Sequence, residues 1–248
     1  MTDKAKIITI YGTAAVVAVA VIGTSMWIRN QRKEMFGWKP QVVDVGKEEP
    51  DVLRELEGDL TVTNQAGEEV KISDLDGKVW VVNQFFANCP VCLKQNSDDL
   101  VALYKEFGSN PDFQMVSISV DPERDTVEFL ADYAAAVGAE AKNWWFVRGE
   151  KEEVYRFLTE EMKYAPIVER PEADGAQRFG HDFGIQVYGQ GRRLVRQRDL
   201  VSAKSFGEDY YAQSLKELKE RIALRLETPL PPRGESGESG ENAVETEE

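Results

Sequence analysis

The chain has one histidine and two cysteines among its 248 residues. Chemistry that needs a thiol, an imidazole or a soft metal therefore has very few places to occur. Basic residues are also in deficit, with 30 Lys and Arg against 44 Asp and Glu and a net charge of -14. Nucleic-acid binding draws most of its affinity from Lys and Arg neutralising phosphate, so nucleic acid is not an expected partner. Much of the negative charge sits in the last two dozen residues, where solubility is a sufficient explanation. No internal repeat is present. What remains is a chain with a tenth of its residues aromatic, enough apolar material for one core with extensions at both ends.

Charge is absent from Ile7 to Ile28. Wound as a helix, that run reaches roughly 33 Å, enough for a bilayer core of about 30 Å. A cleaved signal sequence has a shorter apolar region and a small-residue cleavage site, whereas this run ends Met26-Trp27-Ile28-Arg29. Residues 1–29 are therefore read as an uncleaved, single-pass transmembrane anchor, with Tyr11 and Trp27 suited to the two interfaces. Lys4 and Lys6 precede the run while Arg29, Arg32 and Lys33 follow it, a balance that by itself favours a cytoplasmic C-terminal domain. Residues 30–58 are charged and weakly periodic, as in a stalk with one helical turn around Val52 to Leu56. Residues 227–248 are rich in Pro, Gly, Ser and Glu, and are expected to be a disordered acidic tail that contributes nothing to any site.

Between these extensions, over residues 59–226, β and α patterns alternate. LTVTNQAGEEVKI reads as a hairpin turning at Asn64 to Gly67. VWVVNQFF is apolar on both faces and reads as a buried central strand. Leu93, Leu100, Leu103, Tyr104 and Phe107 then recur at helical spacing. FQMVSISV is the next strand, followed by a helix beginning near Asp125, whose side chain could cap it. NWWFVRG predicts a strand, EKEEVYRFLTEEMKY a helix, FGIQVYGQGRRLVRQRD a hairpin, and residues from about Glu208 to Leu226 a last amphipathic helix. The order predicts an α/β sandwich around a central mixed sheet, an order that thioredoxin-like folds share.

Cys89-Pro90-Val91-Cys92 falls where the central strand hands over to a helix. Two thiols so spaced can reach one another or one shared metal, and the positive end of a helix favours thiolate. Pro90 suits a helix start, which needs no amide donor there. Unreactive core cysteines would have no reason to take this spacing at this junction. His181 alone is ambiguous, since a lone histidine is usually a surface or satisfied core residue. In a thioredoxin-like fold, however, the loop before the penultimate hairpin lies against the CxxC turn, and here it reads Arg178-Phe179-Gly180-His181-Asp182, with no proline. Two thiolates and an imidazole suit Cu(I) and can still hold Cu(II).

From about Leu60 to Ile222 the chain resembles the Sco/SenC family, in the lead-in LTVTNQAGEEVKISDLDGKVWVVNQFF, the Cys-Pro motif, the block SVDPERDT, the segment NWWFVRG and a histidine just before a strand hairpin. The resemblance implies a thioredoxin-like three-layer sandwich tethered to the inner or cytoplasmic membrane. It also implies an extracytoplasmic domain that binds copper through Cys89, Cys92 and His181 and helps metallate the copper site of cytochrome c oxidase, or serves another extracytoplasmic copper or thiol protein. Asp121 would stand behind those ligands. The family's usual motif has three residues between the cysteines, and this chain has two. One helical residue turns the second sulfur by about 100°. The spacing is that of thiol-disulfide oxidoreductases, in which Cys89 would attack as thiolate and Cys92 would resolve the mixed disulfide. Copper binding, thiol-disulfide exchange and a non-catalytic interaction module are the readings the sequence leaves open.

Overall fold

Runs that are apolar on both faces can be covered only by packing against helices or loops on both sides. The computed structural model, which describes residues 18–27, 51–87, 97–173 and 178–232, has this layering. Residues up to Glu49 and residues from Pro50 onward form separate compact units. In the first, residues 18–27 form helix α1, all exposed. The rest of the predicted Ile7 to Ile28 span lies outside the described residues. Among the described residues no helix is long and apolar enough to cross a membrane.

Among the described residues the second unit has ten strands: β1 (Arg54–Glu55), β2 (Thr61–Asn64), β3 (Glu69–Lys71), β4 (Val79–Phe85), β5 (Phe113–Ser119), β6 (Trp144–Arg148), β7 (Val168–Glu169), β8 (Phe179–Gly180), β9 (Ile185–Gly189) and β10 (Arg193–Arg198). Eight of them form one sheet in the order β1-β10-β9-β4-β5-β6-β2-β3, while β7 and β8 pair separately. Strands β4, β5 and β6 are parallel and their flanks antiparallel, so the sheet is mixed. All seven residues of β4 and all seven of β5 are buried.

Helices α2 (Ser97–Phe107), α3 (Val127–Val137), α5 (Leu200–Phe206) and α6 (Glu208–Glu227) contribute to one core, through Leu103, Leu130, Leu200, Leu218 and Ile222 packed with Val81, Met115 and Phe146. Helix α4 (Lys151–Arg156) and its continuation Phe157–Glu161 supply Val154 and Leu158 to the other, with Val82, Val116 and Val147. Consecutive strand residues point to opposite faces, which is why Val81 and Val82 fall in different cores. Helix α3 starts at Thr126, whose hydroxyl accepts the Phe129 amide at 3.3 Å, and stops at Gly138 in the left-handed conformation. The cap expected from Asp125 is therefore supplied by its neighbour, which leaves the Asp125 side chain to another task.

Two expectations about the edges are corrected. The helical turn expected around Val52 to Leu56 is strand β1, because the outer edge of β10 offers backbone groups that a local helix would leave unpaired. The Leu53 amide donates to the Leu194 carbonyl at 2.7 Å and the Leu56 amide to that of Arg192 at 3.1 Å. The tail expected from residue 227 begins with residues that dock. Leu230 is 9% exposed and belongs to the core that holds Ile222, and its amide donates to Gln190 Oε1 at 3.1 Å. A Cβ at Gly189 would lie 2.9 Å from a Leu230 methyl, so the hairpin carries glycine where this leucine sits. Residues 233–248 lie outside the described residues. Leu230→Ala should cost about 2 kcal/mol in chemical denaturation, and ending the chain at Thr228 should lower the melting temperature whereas ending it at Pro232 should not.

Candidate functional site

Cys89 and Cys92 fall in the connection from β4 to α2, residues 88–96, outside the described residues, but both ends of that connection are described. At the upstream end, β4 and β5 run in register to Phe85 and Ser119. The Ala87 amide then donates to both carboxylate oxygens of Asp125, at 3.2 and 3.1 Å, and the Ser119 hydroxyl donates to Asp125 Oδ2. At the downstream end, Asp99 in the first turn of α2 accepts from Lys204 Nζ at 2.7 Å and from the Tyr211 hydroxyl at 2.5 Å. A chain pinned at both ends has fewer conformations to lose when its thiols meet a ligand or each other.

His181 follows β8 and precedes β9. Its Nδ1 lies 2.9 Å from the Asp182 carbonyl oxygen. A carbonyl only accepts, so the neutral ring carries its proton on Nδ1 and its lone pair on Nε2, the form that binds metals. Phe86, three residues before Cys89, meets the imidazole edge-on at a centroid distance of 5.7 Å, and Phe183 lies at 4.8 Å. The loop bearing the histidine thus lies against the end of β4. Burial among these rings lowers the His181 pKa below 6.5, against the raising effect of Asp182, which keeps the imidazole neutral at pH 7.

The loop is fastened by its neighbours. The Asp182 amide donates to Gln84 Oε1 at 3.3 Å, and the Asp182 carboxylate accepts from the amides of Gly184 at 2.7 Å and Ala165 at 3.3 Å. A Cβ on Gly184 would sit 2.8 Å from Asp182 Oδ1, so glycine is needed there. The buried Tyr164 hydroxyl donates toward the carbonyls of Val82 and Gly184, each at 3.2 Å, tying the loop to β4. A small pocket, with a cavity of about 20 Å³, opens beside His181 and Phe183, with Gln84, Ser97, Tyr133 and Phe146 in its wall.

Asp121 is 2% exposed, with Oδ2 at 4.0 Å from Arg124 Nε and 3.9 Å from Arg178 Nε and no hydrogen bond to that oxygen. Burial raises its pKa, and the two guanidinium groups oppose that. Among the described residues no group of three or more His, Cys, Asp or Glu is gathered to hold a metal. The two thiols lie in the 88–96 connection, outside the described residues. A neutral imidazole is a ligand type that suits a soft cation, which thiolates and nitrogen ligands hold better than carboxylates do. Two contributors were not read from the sequence. Gln84 looks like an interruption of an apolar strand, and Asp125 like a helix cap.

A family model described as SCO1/SenC matches residues 49–215. The SCO1 protein homolog of Bacillus subtilis (strain 168) is 30% identical over 139 residues, which is 55% of this chain and 70% of that protein. The structure of BsSco, a member of the Sco family of cytochrome c oxidase assembly proteins in which a disulfide switch was identified, is similar at a TM-score of 0.55 and 26% identity, over 71% of this chain and 98% of that one. Yeast Sco1 with copper bound is similar in fold, with a TM-score of 0.55 at 19% identity over 76% and 97% of the two chains.

The fully buried Asp125 carboxyl is pushed up to about 6 by desolvation, against the lowering effects of Ser119 and the Ala87 amide. The folded chain therefore binds a proton more tightly than the unfolded chain, whose carboxyl titrates near 3.8. This contribution to stability is fully present below about 4, is lost as pH rises through about 6, and is constant above. Asp125→Asn should remove that loss. Relative to wild type, the variant should gain on the order of 3 kcal/mol between pH 4 and pH 7 in urea unfolding.

Proposed function

This chain belongs to the SCO1/SenC family, and on that premise we propose that it is a membrane-tethered copper-binding protein that supplies the copper site of cytochrome c oxidase. In this reading residues 1–29 form a single-pass anchor in the cytoplasmic (inner) membrane, the residues from 30 to about 50 a stalk, and residues 51–232, from the segment that carries β1 to the docked Leu230, an extracytoplasmic thioredoxin-like domain. Copper is cargo, held by Cys89, Cys92 and His181. The observation that carries the proposal is the state of His181: neutral, protonated on Nδ1, and packed edge-on against Phe86 three residues before the first cysteine. Thiolates favour Cu(I), and passing the ion on requires a receiving site with ligands at least as soft.

A second reading is supported by the two-residue spacing of CPVC and by the disulfide switch of BsSco. The Cys89 thiolate would attack a partner disulfide and release one partner thiolate, which takes up a proton. Cys92, having lost its own proton, would then displace the second partner sulfur, leaving a Cys89–Cys92 disulfide and a partner reduced by two electrons. The two readings share one site, because Cu(I) binds only the reduced thiols.

Anaerobic Cu(I) titration of the full-length reduced protein in detergent, against a chromophoric competitor, separates the readings. One tight equivalent is expected, and His181→Ala should weaken it by more than the 10- to 100-fold typical of residues behind the ligands. Equal affinity in the two proteins would remove the copper reading and leave a redox pair. For the anchor, a chain lacking residues 1–30 should be soluble without detergent and keep its melting temperature. Aggregation of that chain alongside a detergent-free soluble full-length protein would remove the anchor.

A further inference from the structure

A carboxylate with no exposed surface is costly unless its hydrogen bonds hold something in place. Asp125 is such a group, with 0% exposure. Its oxygens are taken by three contacts at one spot: the Ala87 amide on both oxygens, at 3.2 and 3.1 Å, and the Ser119 hydroxyl on Oδ2. Ser119 in turn accepts the Asp121 amide at 3.0 Å, and the backbone of the loop folds back so that the Asp125 amide reaches the Asp121 carbonyl at 2.9 Å. The ends of β4 and β5 are joined through this one side chain just past their last ladder contact, where the Val120 amide meets the Phe85 carbonyl at 2.9 Å. Helix capping does not account for it, since Thr126 caps α3.

Ala87 is two residues before Cys89. Two trans peptide links span at most about 7.6 Å between α-carbons, so the amide that Asp125 holds lies at the root of the thiol turn. We propose that Asp125 is a positioning residue for the Cys89–Cys92 pair, fixing through the Ala87 amide the backbone from which the first thiol departs. The inference rests on the reading of Cys89 and Cys92 as a working thiol pair. It acts in either form of that reading, because copper ligation and disulfide closure both need the two sulfurs brought together. Its chemical consequence is a disulfide that is harder to reduce. Holding the backbone that leads into the first thiol raises the effective concentration of one thiol at the other.

The test equilibrates full-length protein in detergent with glutathione buffers, in which two glutathione thiols reduce the disulfide and leave as glutathione disulfide. It compares wild type, Asp125→Leu and Asp125→Asn. Leucine is of similar size and removes every acceptor. Asparagine removes the charge and keeps an acceptor for the Ala87 amide. Asp125→Leu should shift the equilibrium at least 10-fold toward the dithiol and weaken Cu(I) binding 10- to 100-fold, while Asp125→Asn stays within about threefold of wild type in both. A leucine variant that matches wild type overturns the proposal, and so does an asparagine variant that shifts as far as leucine, which would assign the effect to charge alone. Should the leucine variant fail to fold, Ser119→Ala decides, since it leaves Asp125 in place but removes the hydroxyl that orients it. About a threefold shift toward the dithiol is expected there, and no shift overturns the proposal. The glutathione equilibrium contains no copper, so failure of the copper reading, seen as His181-independent Cu(I) affinity, leaves this test intact.

Discussion

Strand β4 is paired along both edges, to β5 and to β9, and all seven of its residues are buried. A strand so enclosed cannot slide by one residue without moving every side chain to the wrong face, so its register is fixed along its length. Trp80 stacks on Tyr188 at 4.3 Å on one face, and Phe85 meets Phe146 edge-on at 5.4 Å on the other. The position of whatever follows Phe85 is inherited from this one element. The thiol motif begins four residues later.

The polar residues of the candidate site hang from the same strand. Gln84 holds the Asp182 amide, Val82 offers its carbonyl to Tyr164, and Phe86 supplies the ring against which His181 rests. Each group whose charge matters is set by burial more than by ion pairing. Desolvation pushes His181 toward its neutral form and the carboxyls of Asp121 and Asp125 upward. A pocket that disfavours charge on its imidazole keeps the ring neutral at neutral pH. Arg124 and Arg178 limit the effect at Asp121.

Membership of the SCO1/SenC family brings together two chemistries that the sequence left side by side. BsSco belongs to a family of cytochrome c oxidase assembly proteins and has a disulfide switch, and yeast Sco1 has been seen with copper bound. A dithiol that holds Cu(I) and a disulfide that cannot are two oxidation states of one thiol pair. The CPVC spacing of this chain is one residue shorter than the family's usual motif, and the described residues on either side of it are held at Ala87 and Asp99.

Periodicity and turn chemistry were sufficient for the parts of this protein that are locally encoded. The buried strand VWVVNQFF, the strands FQMVSISV and NWWFVRG, the late hairpin and the last helix could be read because apolar spacing and flanking turn residues state them within a few residues. The motif Cys89-Pro90-Val91-Cys92 and the lone His181 could be singled out by scarcity and by resemblance. Tertiary structure decided what depends on partners far away in the chain. Arg54–Glu55 form a strand because the outer edge of β10 offers them backbone partners, and Leu230 is buried because the hairpin leaves room at Gly189. Asp125 faces inward because Ala87, 38 residues earlier, needs an acceptor. A local pattern carries no information about which distant backbone group will be left without a hydrogen bond, and that is why composition and spacing could mark the thiols and the histidine but not the residues that fasten the histidine loop and the end of β4.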